Sequence, residues 1–147
     1  MSVVSLRLTS RNGRIICELC NRRDVKVFAG ADAPIKRKLV TAEHVHGKTG
    51  LDGPDLPEPT MELQPGHAVD FIIETAKAHP GELTLVTTGP TTNAAMAILQ
   101  EPALPSLLKN MLVLGGNFST PGNMTPLSEY NIWADPEAAR IVLNADC

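Results

Sequence analysis

The feature that most constrains this chain is its set of short apolar runs. Residues 25–29 (Val-Lys-Val-Phe-Ala), 83–87 (Leu-Thr-Leu-Val-Thr) and 111–114 (Met-Leu-Val-Leu) are brief and rich in β-branched or large aliphatic side chains. The first ends at Gly30, the second at Thr88-Gly-Pro90 and the third at Gly115-Gly116. Runs of this length and texture read as strands covered on both faces. Between them the apolar period changes to three-to-four residues. That spacing predicts a helix over residues 5–20, with Leu6, Ile15, Ile16 and Leu19 on one face and Gly13 weakening the middle. A second helix is predicted over 67–79, with Ala68, Phe71, Ile72 and Ala76 recurring and Pro80-Gly81 as the stop. Thr91 or Thr92 opens a third that runs to Gln100. Asp135 caps a last one, with Pro136 at its first position. Strands alternating with helices predict the α/β class: an open, mostly parallel, Rossmann-like sheet with flanking helices.

Composition narrows the function classes. The chain has 147 residues, which favours a single domain over residues 1–147. Thirteen Lys and Arg against sixteen Asp and Glu give a net charge of −3, and only five residues are aromatic. A nucleic-acid platform needs a basic stripe or stacking rings, so nucleic acid is not an expected partner. No apolar run approaches the ~20 residues that span a bilayer, so no membrane partner is expected either. The start of the chain lacks a charged region followed by an apolar stretch, which predicts a cytoplasmic setting. Cys17, Cys20 and Cys147 are odd in number, so no closed disulfide framework is indicated. Cys17-x-x-Cys20 has redox or zinc spacing, yet no second Cys or His pair accompanies it. It reads as two thiols on one helix.

Residues 34–66 change texture. The stretch from Gly47 to Pro59 is dense in turn formers, and a loop this long in a compact domain is functional or disordered.

In an open α/β sheet, ligands bind beyond the carboxyl ends of strands. That rule selects three places: after Val27-Phe28-Ala29, after Val86-Thr87-Thr88 and after Val113-Leu114-Gly115. Thr87-Thr88-Gly89-Pro90-Thr91-Thr92-Asn93 runs from a strand end into a helix start, where free N–H groups hold anions and strand-end carbonyls face cations. From these residues alone an ordinary Thr-capped turn is the plainer reading, since such turns recur in α/β folds without ligands. The loop from Gly115 to Asn131 carries Asn123, Glu129 and Asn131. Amides beside a carboxylate suit a polyol, whose hydroxyls both donate and accept. Glu129 and Asn131, two apart, face one side if the backbone is extended. A solvated loop with turn-forming Asn is the plainer reading. In Glu43-His44-Val45-His46, the two histidines share a face if the segment is a strand, but no third zinc ligand is nearby. A single histidine, His46, used for hydrogen bonding or proton donation is the better functional reading. His67 and His79 sit at predicted helix ends and read as structural.

Taken together, these blocks resemble a known family. The stretch from Asn123 through Glu129-Tyr130-Asn131-Ile132-Trp133-Ala134-Asp135-Pro136-Glu137 to Ala139 is similar to a signature of the inosine–uridine-preferring nucleoside hydrolases. So are Val45-His46-Gly47-Lys-Thr-Gly50-Leu51-Asp-Gly53, Thr88-Gly-Pro-Thr-Thr-Asn93-Ala-Ala-Met-Ala97 and Val113-Leu114-Gly115-Gly116. The resemblance implies cleavage of the N-glycosidic bond of purine or pyrimidine ribonucleosides to base and ribose. It implies a calcium ion holding the ribose diol and the attacking water, an aspartate base and a homodimer or homotetramer. It implies that Asn123, Glu129 and Asn131 bind ribose hydroxyls, that the Thr88 backbone carbonyl ligates calcium, and that His46 lies near the substrate as a catalytic candidate.

Three parts of the family pattern have no match here, one of them an amide-bearing residue near the start, where Val3 or Val4 stands. The opening Asp-x-Asp-x-x-x-Asp-Asp cluster is missing, since Glu18 is the only acidic residue before Asp24. A later calcium-binding aspartate is also missing. The expectation is a partial domain, the middle of the family fold, catalytically silent alone because one carbonyl cannot satisfy a cation that wants 6–8 oxygens. Asp52 and Asp55 are the nearest other oxygen donors. Two alternatives remain open at this point. One is a non-catalytic ribose- or nucleoside-binding remnant. The other is a phosphate-binding α/β domain using residues 88–93.

Overall fold

The computed structural model describes residues 4–146. In chain order the elements are α1 (Leu6–Leu19), α2 (Glu43–His46), α3 (Ala68–Ala78), β1 (Thr84–Thr87), α4 (Thr92–Gln100), α5 (Leu104–Leu107), β2 (Asn110–Val113), α6 (Tyr130–Ala134) and α7 (Pro136–Leu143). The strands pair in parallel, from Thr84 opposite Asn110 to Thr87 opposite Val113. Parallel neighbours need a crossover, and α4 with α5 supplies it. The class is α/β, as the periodicity predicts.

The core lies on one face of this sheet. Leu85 and Met111 point inward, against a cluster built by Val69, Ile73 and Ala76 of α3 with Ala97 and Leu104. The same two side chains meet a second cluster, in which Ala94 and Ala95 of α4 pack on Ala138 and Val142 of α7. Alanines let these two helices approach closely. Alternate strand residues face the other way. Val86 and Leu112, direct register partners, are 55% and 57% exposed. Among the described residues the sheet is therefore covered on one face only, which corrects the expectation of two covered faces. The three flanking helices all pack against the inward side chains.

Residues 25–29 also depart from the prediction. They form no strand, only a one-residue parallel bridge between Ala29 and His67. The Gln64 N–H donates to the Val27 carbonyl at 2.9 Å, and the Ala68 N–H to that of Ala29 at 2.8 Å. The partner segment then turns into α3, so the ladder stops after two bonds.

In α1, Ile15 is buried but Ile16 and Leu19 are exposed, so the predicted apolar face is narrower than its spacing implied. The polar side of α1 holds the long segment. Asn12 Nδ2 donates to the Thr49 carbonyl (2.7 Å), Arg14 Nη1 to that of Met61 (2.8 Å), and Arg11 pairs with Glu58 (2.6 Å). The Glu18 carboxylate accepts the backbone N–H groups of Thr60 (2.9 Å) and Met61 (2.6 Å). Most of residues 34–66 is irregular and lies pinned along this helix. Among the described residues no helix is long and apolar enough to cross a membrane.

Candidate functional site

The three chain ends selected by the strand rule are tied together by side chains from the helices that follow. Beyond Ala29, the Ala31 N–H donates to Asn93 Oδ1 of α4 at 2.8 Å. Gly30 makes that approach feasible, since a Cβ there would lie 2.6 Å from the Asn93 amide. Beyond the strands, the Leu114 N–H donates to the Thr87 carbonyl at 2.9 Å, extending the β1–β2 ladder by one bond. Asn131 Nδ2 then donates to the Leu114 carbonyl at 2.8 Å.

Glu129 is the N-cap of α6. Its Oε1 accepts the Asn131 N–H (2.9 Å), while Oε2 accepts the N–H groups of Ile132 (3.3 Å) and Gly116 (2.9 Å). A carboxylate at a helix N-terminus meets free donors and the positive end of the helix dipole. The Gly116 bond adds a tether from α6 to the end of β2. Asn123 Oδ1 accepts the Tyr130 N–H at 2.7 Å, which anchors the preceding loop to the same helix start. The structure thus brings Asn123, Glu129 and Asn131 together. The predicted extended backbone is corrected: Glu129 caps a helix and Asn131 lies in its first turn, because α6 begins at Tyr130.

Thr88 is exposed at the end of β1, and among the described residues its carbonyl accepts no backbone hydrogen bond. It lines a cleft of about 220 Å³ with Ile72, Val86, Thr87 and Asn93. A second cavity, of about 370 Å³, is bounded by Gly116, Asn117, Glu129, Trp133 and Arg37.

His46 is the last residue of α2, a single helical turn, and is exposed. The strand-like sharing of a face by His44 and His46 is corrected, since residues two apart diverge on a helix. Among the described residues His46 makes no hydrogen bond to the cluster around α6. Its helix is nevertheless held there. Ala42, which precedes α2, packs with Tyr130 and Ala134, and the Tyr130 hydroxyl donates to the Val40 carbonyl at 2.9 Å. Burial of that hydroxyl pushes the Tyr130 pKa up.

Beneath the site sits a residue that the sequence shows only as a helix cap. Asp135 is completely buried. Its Oδ1 accepts the Ala138 N–H (3.1 Å), the expected cap, while Oδ2 accepts the Thr92 hydroxyl (2.7 Å) and the Ile35 N–H (3.0 Å). It joins α7, the start of α4 and the long segment in one network. The Asp-Pro-Glu cap signal locates Asp135, but nothing in the sequence marks Thr92 or Ile35 as partners.

The family model described as inosine-uridine preferring nucleoside hydrolase matches residues 2–147. The chain belongs to the inosine-uridine preferring nucleoside hydrolase family. It is 42% identical over 141 residues to the pyrimidine-specific ribonucleoside hydrolase RihB of Escherichia coli, covering 96% of this chain and 44% of the relative. It is 42% identical over 143 residues to an uncharacterized protein of Schizosaccharomyces pombe, covering 97% and 46%. Among solved structures it is similar to the purine-preferring ribonucleoside hydrolase from Gardnerella vaginalis: TM-score 0.94, 28% identity, 99% of this chain and 47% of that one. A plant nucleoside hydrolase gives a TM-score of 0.90 at 31% identity, covering 98% and 46%. The chain spans about half the length of these nucleoside hydrolases.

A calcium ion here would need several oxygen donors converging from the described residues. Among them no three His, Cys, Asp or Glu side chains converge to hold a metal ion. Asp52 turns onto its own loop, accepting the N–H groups of Lys48 and Thr49 (2.9 Å each) and the Thr49 hydroxyl. Those bonds, led by the Thr49 hydroxyl, hold its pKa below the ordinary value. The Thr88 carbonyl offers one oxygen against the 6–8 calcium takes. The described residues do not by themselves fit the ion.

Proposed function

We propose that this chain carries the ribose-recognition part of a ribonucleoside N-ribohydrolase, an enzyme that releases base and ribose from a purine or pyrimidine ribonucleoside. The observation that carries the reading is the convergence of Asn123, Glu129 and Asn131 on the first turn of α6, beside the ends of β1 and β2. Their backbone bonds leave specific hydrogen-bonding capacity. A carboxylate offers about four lone-pair directions, and Glu129 uses three. Among the described residues Asn123 keeps its Nδ2 donor and Asn131 its Oδ1 acceptor. One donor beside two acceptors complements neighbouring sugar hydroxyls. Because each group is fixed by the backbone, little side-chain entropy is lost on binding.

In this reading the Thr88 carbonyl supplies one oxygen toward a calcium ion, and His46 faces the substrate from α2 as a hydrogen-bonding or proton-donating group. The related proteins differ in their named base preference, pyrimidine-specific in one and purine-preferring in another. The proposal therefore concerns ribonucleosides as a class. A homo-oligomeric, cytoplasmic enzyme is part of the same proposal.

A second reading is ribose or nucleoside binding without turnover, because the spare donor and acceptors of Asn123, Glu129 and Asn131 would meet sugar hydroxyls without a metal ion. One experiment separates the two. Base release from inosine and uridine is followed on the purified chain with and without calcium, beside a titration of Trp133 fluorescence with each nucleoside. Calcium-dependent release supports the hydrolase. Saturable binding without release supports the second reading. Neither binding nor release overturns both.

A further inference from the structure

We infer that Cys17 and Cys20 form a reversible dithiol–disulfide modification site at the end of α1, one that regulates how firmly the segment around Thr60 is held. Both cysteines are free thiols, Cys17 partly buried and Cys20 exposed. They occupy defined places in one helix-ending motif. Cys20 is the C-cap of α1, and Asn21 follows in the left-handed conformation at φ +55°. The Asn21 N–H donates to the Glu18 carbonyl (3.0 Å) and the Arg22 N–H to that of Cys17 (2.8 Å). These two bonds make the paired closure in which a left-handed residue satisfies the last carbonyls of a helix. Cys17 thus supplies the outer acceptor of the closure, and Cys20 lies inside it.

Residues three apart on a helix have Cβ atoms ~5–6 Å apart, whereas a disulfide needs ~3.5–4.5 Å. The bridge is within reach, but the last turn must deform to make it. The turn that deforms contains Glu18, whose carboxylate accepts Thr60 N–H, Thr60 Oγ1 and Met61 N–H and pairs with Arg23 at 3.3 Å. Closing the disulfide therefore moves the anchor of residues 60–61.

The oxidant is a low-molecular-weight disulfide such as oxidised glutathione. Cys20, the exposed thiol, attacks as its thiolate. It forms a mixed disulfide and displaces one glutathione thiolate. The Cys17 thiolate then attacks Cys20 Sγ, forming the Cys17–Cys20 bond and displacing the second glutathione. The two thiol protons pass through solvent to the two glutathione thiolates. The protein is oxidised by two electrons, and one oxidised glutathione becomes two reduced molecules.

The test uses the full chain with Cys147→Ser, so that only the helix pair can react. It is equilibrated in graded ratios of oxidised to reduced glutathione, acid-quenched and weighed intact. The expected product has lost two hydrogen masses, has no alkylatable thiol and reverts on reduction. Addition of Cys17→Ser leaves Cys20 as a stable mixed disulfide with glutathione. In the oxidised chain the amide hydrogens of Thr60 and Met61 exchange several-fold faster than in the reduced one. Three outcomes overturn the inference. One is accumulation of the mixed disulfide while Cys17 is intact. Another is no oxidation across the glutathione range. The third is oxidation that leaves exchange at residues 60–61 unchanged.

Discussion

The Thr92 hydroxyl donates to Asp135 Oδ2 at 2.7 Å, and both side chains are completely buried. A buried carboxylate is tolerated when its lone pairs are satisfied. Ala138 and Ile35 complete that satisfaction. The pair joins the start of α4, which follows Thr88, to the start of α7, which follows Asn131. Both sides of the proposed site are thereby referenced to one buried carboxylate.

Removing it should be costly. Asp135→Ala loses a helix cap and leaves the buried Thr92 hydroxyl and Ile35 N–H without their acceptor, for a combined loss of about 3–5 kcal/mol. Asp135→Asn keeps the volume but turns a donor toward a donor, and should cost about 1–3 kcal/mol. Urea unfolding followed by circular dichroism measures both. A loss under about 0.5 kcal/mol for the alanine variant means the network contributes nothing.

Glu129→Ala tests whether one residue holds α6 and binds sugar. Loss of the cap and of the Gly116 tether should destabilise the fold by about 1–2 kcal/mol. Nucleoside affinity, read from Trp133 fluorescence, should fall about tenfold, the equivalent of ~1.4 kcal/mol. Unchanged affinity in a folded variant removes Glu129 from the proposed site.

Gly122→Ala probes the loop that leads into Glu129. A Cβ at Gly122 would lie 2.1 Å from the Ser128 backbone oxygen. Backbone cannot swing aside as a side chain does, so the Thr125–Ser128 bridge must open. The expected loss is about 1–3 kcal/mol, with a shift in Trp133 emission. Gly66→Ala is the comparison, because nothing lies within 4 Å of that position and only its φ of +93° is strained. Gly122 has no positive φ, so a loss there no larger than at Gly66 would mean that the clash relaxes at little cost.

Acid should loosen the long segment. Burial pushes the Glu18 carboxyl up, but hydrogen bonds from Met61 and Thr60, with the charge of Arg23, outweigh it and leave its pKa below the ordinary value. A group whose folded pKa is depressed stabilises the fold above its unfolded pKa, ~4.3 for Glu, and loses that contribution as pH falls through the folded value. Stability measured between neutral and acidic pH should decline below about pH 4.5, and Glu18→Gln should flatten that decline. An identical acid profile in the variant refutes the assignment.

Much of the fold is legible in the sequence because it rests on local patterns. The three-to-four spacing finds α3, a threonine cap at Thr91 or Thr92 finds α4, Asp135-Pro136 finds α7, and the aliphatic runs find β1 and β2. Residues 25–29 look equally strand-like, yet make a single bridge, because a strand also needs a neighbour that runs beside it for several residues. The site shows the same division. Asn123, Glu129 and Asn131 stand out by residue type and by resemblance to a family. Their actual geometry depends on α6, a five-residue helix with too few turns to show a period.

The sequence alone therefore determined the α/β class, the order of the main elements and the family, since each is written in local spacing or in contiguous motifs. Tertiary structure decided the rest. It turned Glu129 from a loop carboxylate into a cap tethered to Gly116, and made Asp135 a buried junction with partners 43 and 100 residues away. It also set Gly30 against Asn93, 63 positions apart in the chain. Contacts across such separations leave no periodic trace, because chain folding and not neighbouring residues brings the groups together.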